Sequence, residues 1–430
     1  MNILVIGNGF DLAHNLPTSY VDFLLFCEKA ETVYTANLGA TAQDFCQEIL
    51  TDWETDSAIK QVLIDAFNTR HIAELQNAIS EIICPINTSN KELDELYSCI
   101  QNNIWLKHFR NLTVDIGNNW IDFESEIARV VKILDEVRLN KSKRESFKNL
   151  EKYKLHFVTT LWEMSNPSGN DPLATLNNMD QFISFLNLEL EKLIRALEIY
   201  LAGFVNRIPI TSKSVDIESI HPDCLLSFNY TNTYERIYGA SRAVEYDYIH
   251  GKADLSKNVS SCNMVLGIDE YLDNSRKDTD LEFLPFKKYY QRIYKSTGNR
   301  YLNWVDKIKD GYTEYLRKVN VAYSGNPDPL QRYLGHRRYY DLSSIPCPQH
   351  TLYIFGHSLD VTDKDILKLL ICNENVQTKI YYYRKNADDK TILGKLIKNL
   401  VRIMGQDELI RRTGGTHKTI EFIPQELHGD

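Results

Sequence analysis

Apolar residues run without polar alternation from Ile3 to Ile6, the pattern of a β-strand buried on both faces, and the run stops at Gly7-Asn8-Gly9. Strand signals return at Cys224 to Phe228, Tyr246 to Ile249, Met264 to Gly267, Thr351 to Phe355, Lys379 to Tyr383 and Thr419 to Ile423. Between the first run and the rest the period changes. From Tyr20 to Ile208 apolar positions recur at helical spacing, with long amphipathic stretches at Asp122 to Val137 and Met179 to Val205. Ser19, with Asp22 three residues on and Pro17 just before, marks a helix start. A first strand that pairs with strands far later in the chain requires the helical block to leave the sheet and return. The expectation is an α/β fold with a mostly parallel sheet built from both chain ends, residues 1–19 and 209–430, and a large helical insertion over 20–208. A site is expected between the two. Neither a fixed-period repeat nor a low-complexity tract occurs.

Composition narrows the function classes. A chain of 430 residues, 43% apolar and 25% charged, has ordinary globular proportions and room for a sizeable core. A net charge of -9 disfavours nucleic acid as a partner of the whole surface and favours a small molecule. Cys27, Cys46, Cys84, Cys99, Cys224, Cys262, Cys347 and Cys372 are scattered, without the spacing zinc needs, and read as reduced core thiols. No apolar run is long enough to span a bilayer and no signal peptide is recognisable, so no membrane partner and a cytoplasmic location are expected. P-loop, His-Glu-x-x-His and EF-hand patterns are absent, which sets aside P-loop ATPases and zinc hydrolases.

Three glycine- or polar-bearing turns follow strand-like runs. Gly7-Asn8-Gly9-Phe10-Asp11 comes directly after the first, where glycines let backbone amides approach a phosphate; the plainer reading is a strand-to-helix turn. Leu12 replaces the third glycine of a dinucleotide fingerprint, which argues against a hydride-transfer dehydrogenase. Ser227-Phe228-Asn229-Tyr230-Thr231 and Tyr248-Ile249-His250-Gly251 end two further strands, and polar groups at the carboxyl ends of adjacent strands point into one crevice. There Asn229 can orient water or a ribose hydroxyl and His250 can accept a proton, or the two can simply cap a turn and fill the core. Gly356-His357-Ser358-Leu359-Asp360 offers Ser358 to a phosphate or ribose and Asp360 to hydroxyls; both residue types also cap helices. It is alternatively a nucleophile elbow, with Asp388 or Asp389 and His417 as partners of Ser358, although Asp360 stands where such an elbow needs glycine.

Charged positions elsewhere carry less. Within Trp120-Ile121-Asp122-Phe123-Glu124, Asp122 reads as a helix cap, whereas Glu124 lies on the apolar stripe and needs a buried cation or a cleft to face. Phe286 to Lys295 interleaves bases with aromatics and reads as an amphipathic helix able to lend one cation to a pyrophosphate. Arg337-Arg338-Tyr339 is a shorter case.

The stretch Ile6 to His14, continuing through Leu16 to Tyr20, resembles the AbiH family of abortive-infection proteins. Ser227 to Thr231, His250-Gly251, Val265 to Asp269 and Gly356 to Asp360 follow in the order that family shows. The same order is similar, more remotely, to sirtuin-like domains. That likeness implies a Rossmann-like NAD-binding core, with NAD as substrate and no metal. It implies Asn229 and His250 as catalytic, Gly7, Asn8, Gly9, Phe10 and Asp11 along the pyrophosphate, and Gly356, His357, Ser358 and Asp360 on the adenosine side, with Ser227 and Thr231 in the same site. The four-cysteine zinc module of sirtuins is missing, which disfavours protein deacylation and leaves hydrolysis. The resemblances imply an anti-phage effector hydrolysing NAD to nicotinamide and ADP-ribose, restrained until a phage-derived trigger or a partner defence protein releases it, and assembled as a homo-oligomer. A non-catalytic nucleotide sensor is the alternative of a different class.

Overall fold

The computed structural model describes residues 1–35, 58–59, 61–63, 65, 91–116, 122–141, 179–210, 213–239, 243–273, 275–324, 345–416 and 418–426. Cys46, Cys84, Trp120-Ile121, Arg337 to Tyr339 and His417 lie outside the described residues.

Strands β1 (Asn2–Ile6), β2 (Cys224–Ser227), β3 (Glu245–Tyr248), β4 (His350–Phe355), β5 (Val376–Tyr382) and β6 (Ile420–Pro424) form one six-stranded sheet in the order β3-β2-β1-β4-β5-β6. Every neighbouring pair is parallel. The fold is therefore the expected Rossmann-like α/β sheet built from both chain ends. Burial explains why the first run lacks alternation. Ile3 and Val5 enter a core shared with Trp304, Ile366, Leu370 and Leu400, while Leu4 and Ile6 enter a second core with Phe10, Tyr234 and Phe355. Each face of β1 is thus covered, as a central parallel strand requires.

The register sets the site. Ile6 pairs with Ser227 on one side and Phe355 on the other, and Ser227 pairs with Tyr248, so four strands end level and their loops leave along one edge. The chain winds outward from β1 towards β3 and from β4 towards β6, placing a topological switch point between β1 and β4.

The described part of the middle is helical: Tyr20–Thr35, Lys91–Ile100, Ile104–Ile116, Phe123–Lys141 and Met179–Ile199. Ser19 and Asp22 form the expected capping box, Ser19 N donating to Asp22 Oδ2 at 3.1 Å and Asp22 N to Ser19 Oγ at 3.2 Å. The last helix continues as a π turn, Tyr200–Phe204, whose Tyr200 hydroxyl donates to the Pro17 carbonyl at 2.6 Å. Its buried Arg195 is paired with Glu198 at 2.6 Å and Glu95 at 2.8 Å, so the charge inside the helical core is compensated. Among the described residues no helix is long and apolar enough to cross a membrane.

One expected strand is not a strand. Met264 to Gly267 is buried but packs into the helical core with Leu186 and Phe286, outside the sheet. The Gln291 side chain replaces a ladder partner, accepting from Leu266 N at 3.0 Å and donating to Leu266 O at 3.1 Å. An extended segment buried among helices carries the same apolar run as a buried strand.

Candidate functional site

The loops leaving β1, β2, β3 and β4 enclose a cleft of about 300 Å³, closed on its far side by residues of the helical middle. That volume is at the lower end of small-molecule sites. Gly7, Asn8, Gly9, Asp11, Asn229, Thr231, His250, Gly356, His357, Ser358 and Asp360 all line it. Phe10 and Ser227 do not. Phe10 is fully buried against His14, Tyr234, Tyr238 and Phe355, and belongs to the core under the turn. Ser227 is also buried, its Oγ accepting from Asn229 N at 3.1 Å and donating to Asn229 O at 3.0 Å, so it holds the Asn229 backbone in place.

The glycines in these turns are also required by packing. Gly9 N donates to the Gly356 carbonyl at 2.8 Å, and a Cβ on Gly9 would stand 2.8 Å from Gly356 Cα. Gly356, at φ +67°, would put a Cβ 2.2 Å from Phe10 N. These residues let the β1 and β4 turns stack backbone on backbone at the switch point, and no side chain fits between them.

Side-chain chemistry concentrates around Asp363, which the sequence reading did not single out. Its carboxylate lies 3.4 Å from His250 Nε2, 3.6 Å from His357 Nε2 and 3.4 Å from Lys288 Nζ. Burial opposes its charge, but the Lys288 ammonium and the two imidazoles outweigh it and hold the carboxyl well below its usual range. The contact with Asp363 favours the tautomer protonated on Nε2, and among the described residues Nδ1 has no hydrogen-bond partner. Burial, reinforced by the Lys288 charge, pushes His250 down to about 4, so its ring is neutral at pH 7. His357 is oriented from the other side, its Nδ1 accepting from Leu359 N at 2.9 Å. In the sequence Asp363 is only the residue before helix Lys364–Ile371, three past Asp360, a position that does not single it out.

Two further groups come from outside the four loops. Glu124, near the start of helix Phe123–Lys141, meets Lys288, the first residue of helix Lys288–Tyr294, at 2.7 Å. Glu124 therefore has both the cleft and the cation its place on the apolar stripe demanded. Burial pushes its carboxyl up to about 7 against the pull of Lys288. Asp122 is the cap it looked like, accepting from Glu124 N at 3.0 Å. Thr18, Ser19 and Tyr20 also line the cleft; Ser19 was expected only as a helix cap, and all three lie in the stretch that carried the family resemblance.

On the β1 side, Asp11 Oδ2 accepts from Thr231 Oγ1 at 2.6 Å while Oδ1 has no donor of hydrogen-bond geometry among the described residues. Burial pushes Asp11 up to about 6, with Thr231, Thr233, Asn229 and the Arg236 charge resisting. Asn229 Nδ2 likewise has no acceptor of hydrogen-bond geometry among the described residues. Asp360 caps the turn after β4, accepting from Thr362 N at 3.0 Å. The nucleophile-elbow alternative finds little support. Ser358 is exposed and its hydroxyl bonds to no side chain among the described residues, while Asp389 accepts from Lys385 N and Thr391 N.

The family described as Bacteriophage abortive infection AbiH matches residues 3–383. No curated protein and no solved structure matches the chain. The matched span takes in every loop around the cleft, and the chain belongs to the AbiH family of bacteriophage abortive-infection proteins.

Proposed function

We propose that this chain carries out its abortive-infection role by hydrolysing NAD to nicotinamide and ADP-ribose in the switch-point cleft. The observation that carries the reading is that two buried residues, Asn229 and His250, line one cleft at the carboxyl ends of adjacent strands and that Asn229 Nδ2 and His250 Nδ1 have no hydrogen-bond partner among the described residues. In this reaction the bond between ribose C1′ and the pyridinium nitrogen breaks with its electron pair going to nitrogen, and nicotinamide leaves neutral. Departure therefore needs no strong acid. Water adds to C1′ and gives its proton to His250 Nδ1. The imidazolium so formed is stabilised by Asp363, as a buried carboxylate stabilises a histidine base. Asn229 Nδ2 orients the ribose or the water. Asp11, ionised above about pH 6, adds negative charge beside a ribose that becomes cationic in the transition state. Among the described residues that line the cleft, Lys288 is the lysine or arginine within reach of a pyrophosphate, and it would have to share its charge with Glu124 and Asp363.

The test is nicotinamide release from NAD by purified protein and by Asn229→Ala and His250→Ala. Loss of about 10²-fold or more in each variant is expected for a positioned proton acceptor and an orienting donor. Full turnover in both variants removes the assignment. Tight NAD binding without products under conditions that abort infection would favour a nucleotide sensor.

A further inference from the structure

Asp11 is 1% exposed and Asn229 is 4% exposed, yet each keeps one polar atom out of hydrogen bonds with the described residues. A buried polar atom without a partner costs about 1–3 kcal/mol, more when charged. Here an acceptor, Asp11 Oδ1, and a donor, Asn229 Nδ2, are left unmatched on residues that line the same cleft. Asn229 is near enough to help stabilise the Asp11 charge but makes no hydrogen bond of normal geometry with it. The Asp11 carboxylate is held through Thr231 Oγ1 at 2.6 Å, and the Asn229 backbone is held by Ser227 Oγ, which accepts from Asn229 N at 3.1 Å.

The chemistry of the pair defines what fits. A phosphate, which only accepts at neutral pH, would be repelled by the Asp11 carboxylate, and a carbonyl has no proton to give it. A hydroxyl does both, donating to Oδ1 and accepting from Nδ2. We propose that Asp11 and Asn229 form a hydroxyl-recognition pair for the ribose next to the scissile bond. The cleft then selects a ribonucleotide by its sugar, and Asp11 serves the sugar where the sequence had assigned it to the pyrophosphate. This rests on the proposed function only for which ribose is bound.

Calorimetry on the full chain tests it without requiring turnover. The ligands are NAD, NAD with fluorine replacing the 2′-hydroxyl of the nicotinamide ribose, ADP-ribose and AMP. Fluorine cannot donate, so the analogue is expected to bind at least about tenfold more weakly than NAD, the loss of one hydrogen bond to a charged acceptor. Asp11→Asn keeps the shape, with its carbonyl for Thr231 and an NH₂ where the free acceptor was. It is expected to lose NAD affinity by a similar factor while its melting temperature stays equal or rises, because a buried charge has been removed. A merely structural Asp11 would lower the melting temperature. NAD binding equally to wild type and Asp11→Asn, or equally to its fluoro analogue, overturns the pair and leaves NAD hydrolysis standing. AMP or ADP-ribose binding in place of NAD, and lost in Asp11→Asn, supports the pair and removes the NAD reading. No binding by any of these ligands overturns both.

Discussion

Lys288→Met isolates the electrostatics of the cleft. The side chains of Lys288, Asp363 and Glu124 are 6%, 11% and 16% exposed, and Lys288 Nζ lies 2.7 Å from Glu124 and 3.4 Å from Asp363. At an effective dielectric of about 20 these contacts give about 6 and 5 kcal/mol of gross attraction, offset by several kcal/mol for taking the ammonium out of water. Removing the cation leaves two buried carboxyls facing each other, so a loss of about 3–5 kcal/mol in folding stability is expected at pH 8.5. The loss depends on pH. Glu124 already sits near 7 with Lys288 present and must rise further without it. Between 4.5 and its folded value the folded state holds a proton that the unfolded chain has released, so stability falls as pH rises through that window. In the wild type the window closes near pH 7; in the variant it extends above. From pH 7 to 8.5 the variant should therefore lose up to about 2 kcal/mol more than the wild type, at about 1.4 kcal/mol per proton per pH unit. Urea unfolding at pH 6, 7 and 8.5, with Lys288→Met/Glu124→Gln recovering part of the loss, provides the measurement. A loss below about 1 kcal/mol at pH 8.5, or one independent of pH, would refute the argument.

Two other outcomes follow from the geometry. Gly356→Ala must place a Cβ 2.2 Å from Phe10 N at a positive φ, so a loss of at least about 2–3 kcal/mol is expected in denaturant unfolding; a change within about 0.5 kcal/mol would show that the turns do not stack as described. In a nitrogen-15 NMR titration, His250 should stay neutral down to about pH 4 with its proton on Nε2, so it contributes no acid limb to activity above about pH 5. A midpoint near 6.5, or a proton on Nδ1, contradicts the Asp363 contact. The unfolded chain binds this proton at 6.5 and the folded chain only near 4, so His250's stability contribution is complete above 6.5 and is lost as pH falls through that interval.

Much of the fold was legible because parallel strands buried on both faces leave an unbroken apolar run, as at Ile3 to Ile6 and Cys224 to Leu226. The same signal misled at Met264 to Gly267, where the burying partners are helices. The convergence of Asn229, His250 and Gly356 was also legible, since all follow strands directly and parallel register carries them to one edge. Asp363 was not. It acts through contacts to His250 and Lys288, remote in the chain, and locally it looks like an ordinary residue before a helix. Glu124 could be flagged as a carboxylate out of place on an apolar stripe, but only coordinates could supply Lys288 as its partner. Phe10 sits in a turn that reads as ligand-facing, and its inward direction depends on the second core forming beneath it.

The most direct test is made during infection. Cells carrying the wild-type chain, Asn229→Ala or His250→Ala are challenged with a phage that the wild type aborts, and NAD, nicotinamide and ADP-ribose are followed by mass spectrometry. NAD is expected to fall, with a matching rise of nicotinamide and ADP-ribose, in the wild type alone. NAD held constant while the wild type aborts infection, or lost equally in both variants, would contradict NAD hydrolysis in this cleft.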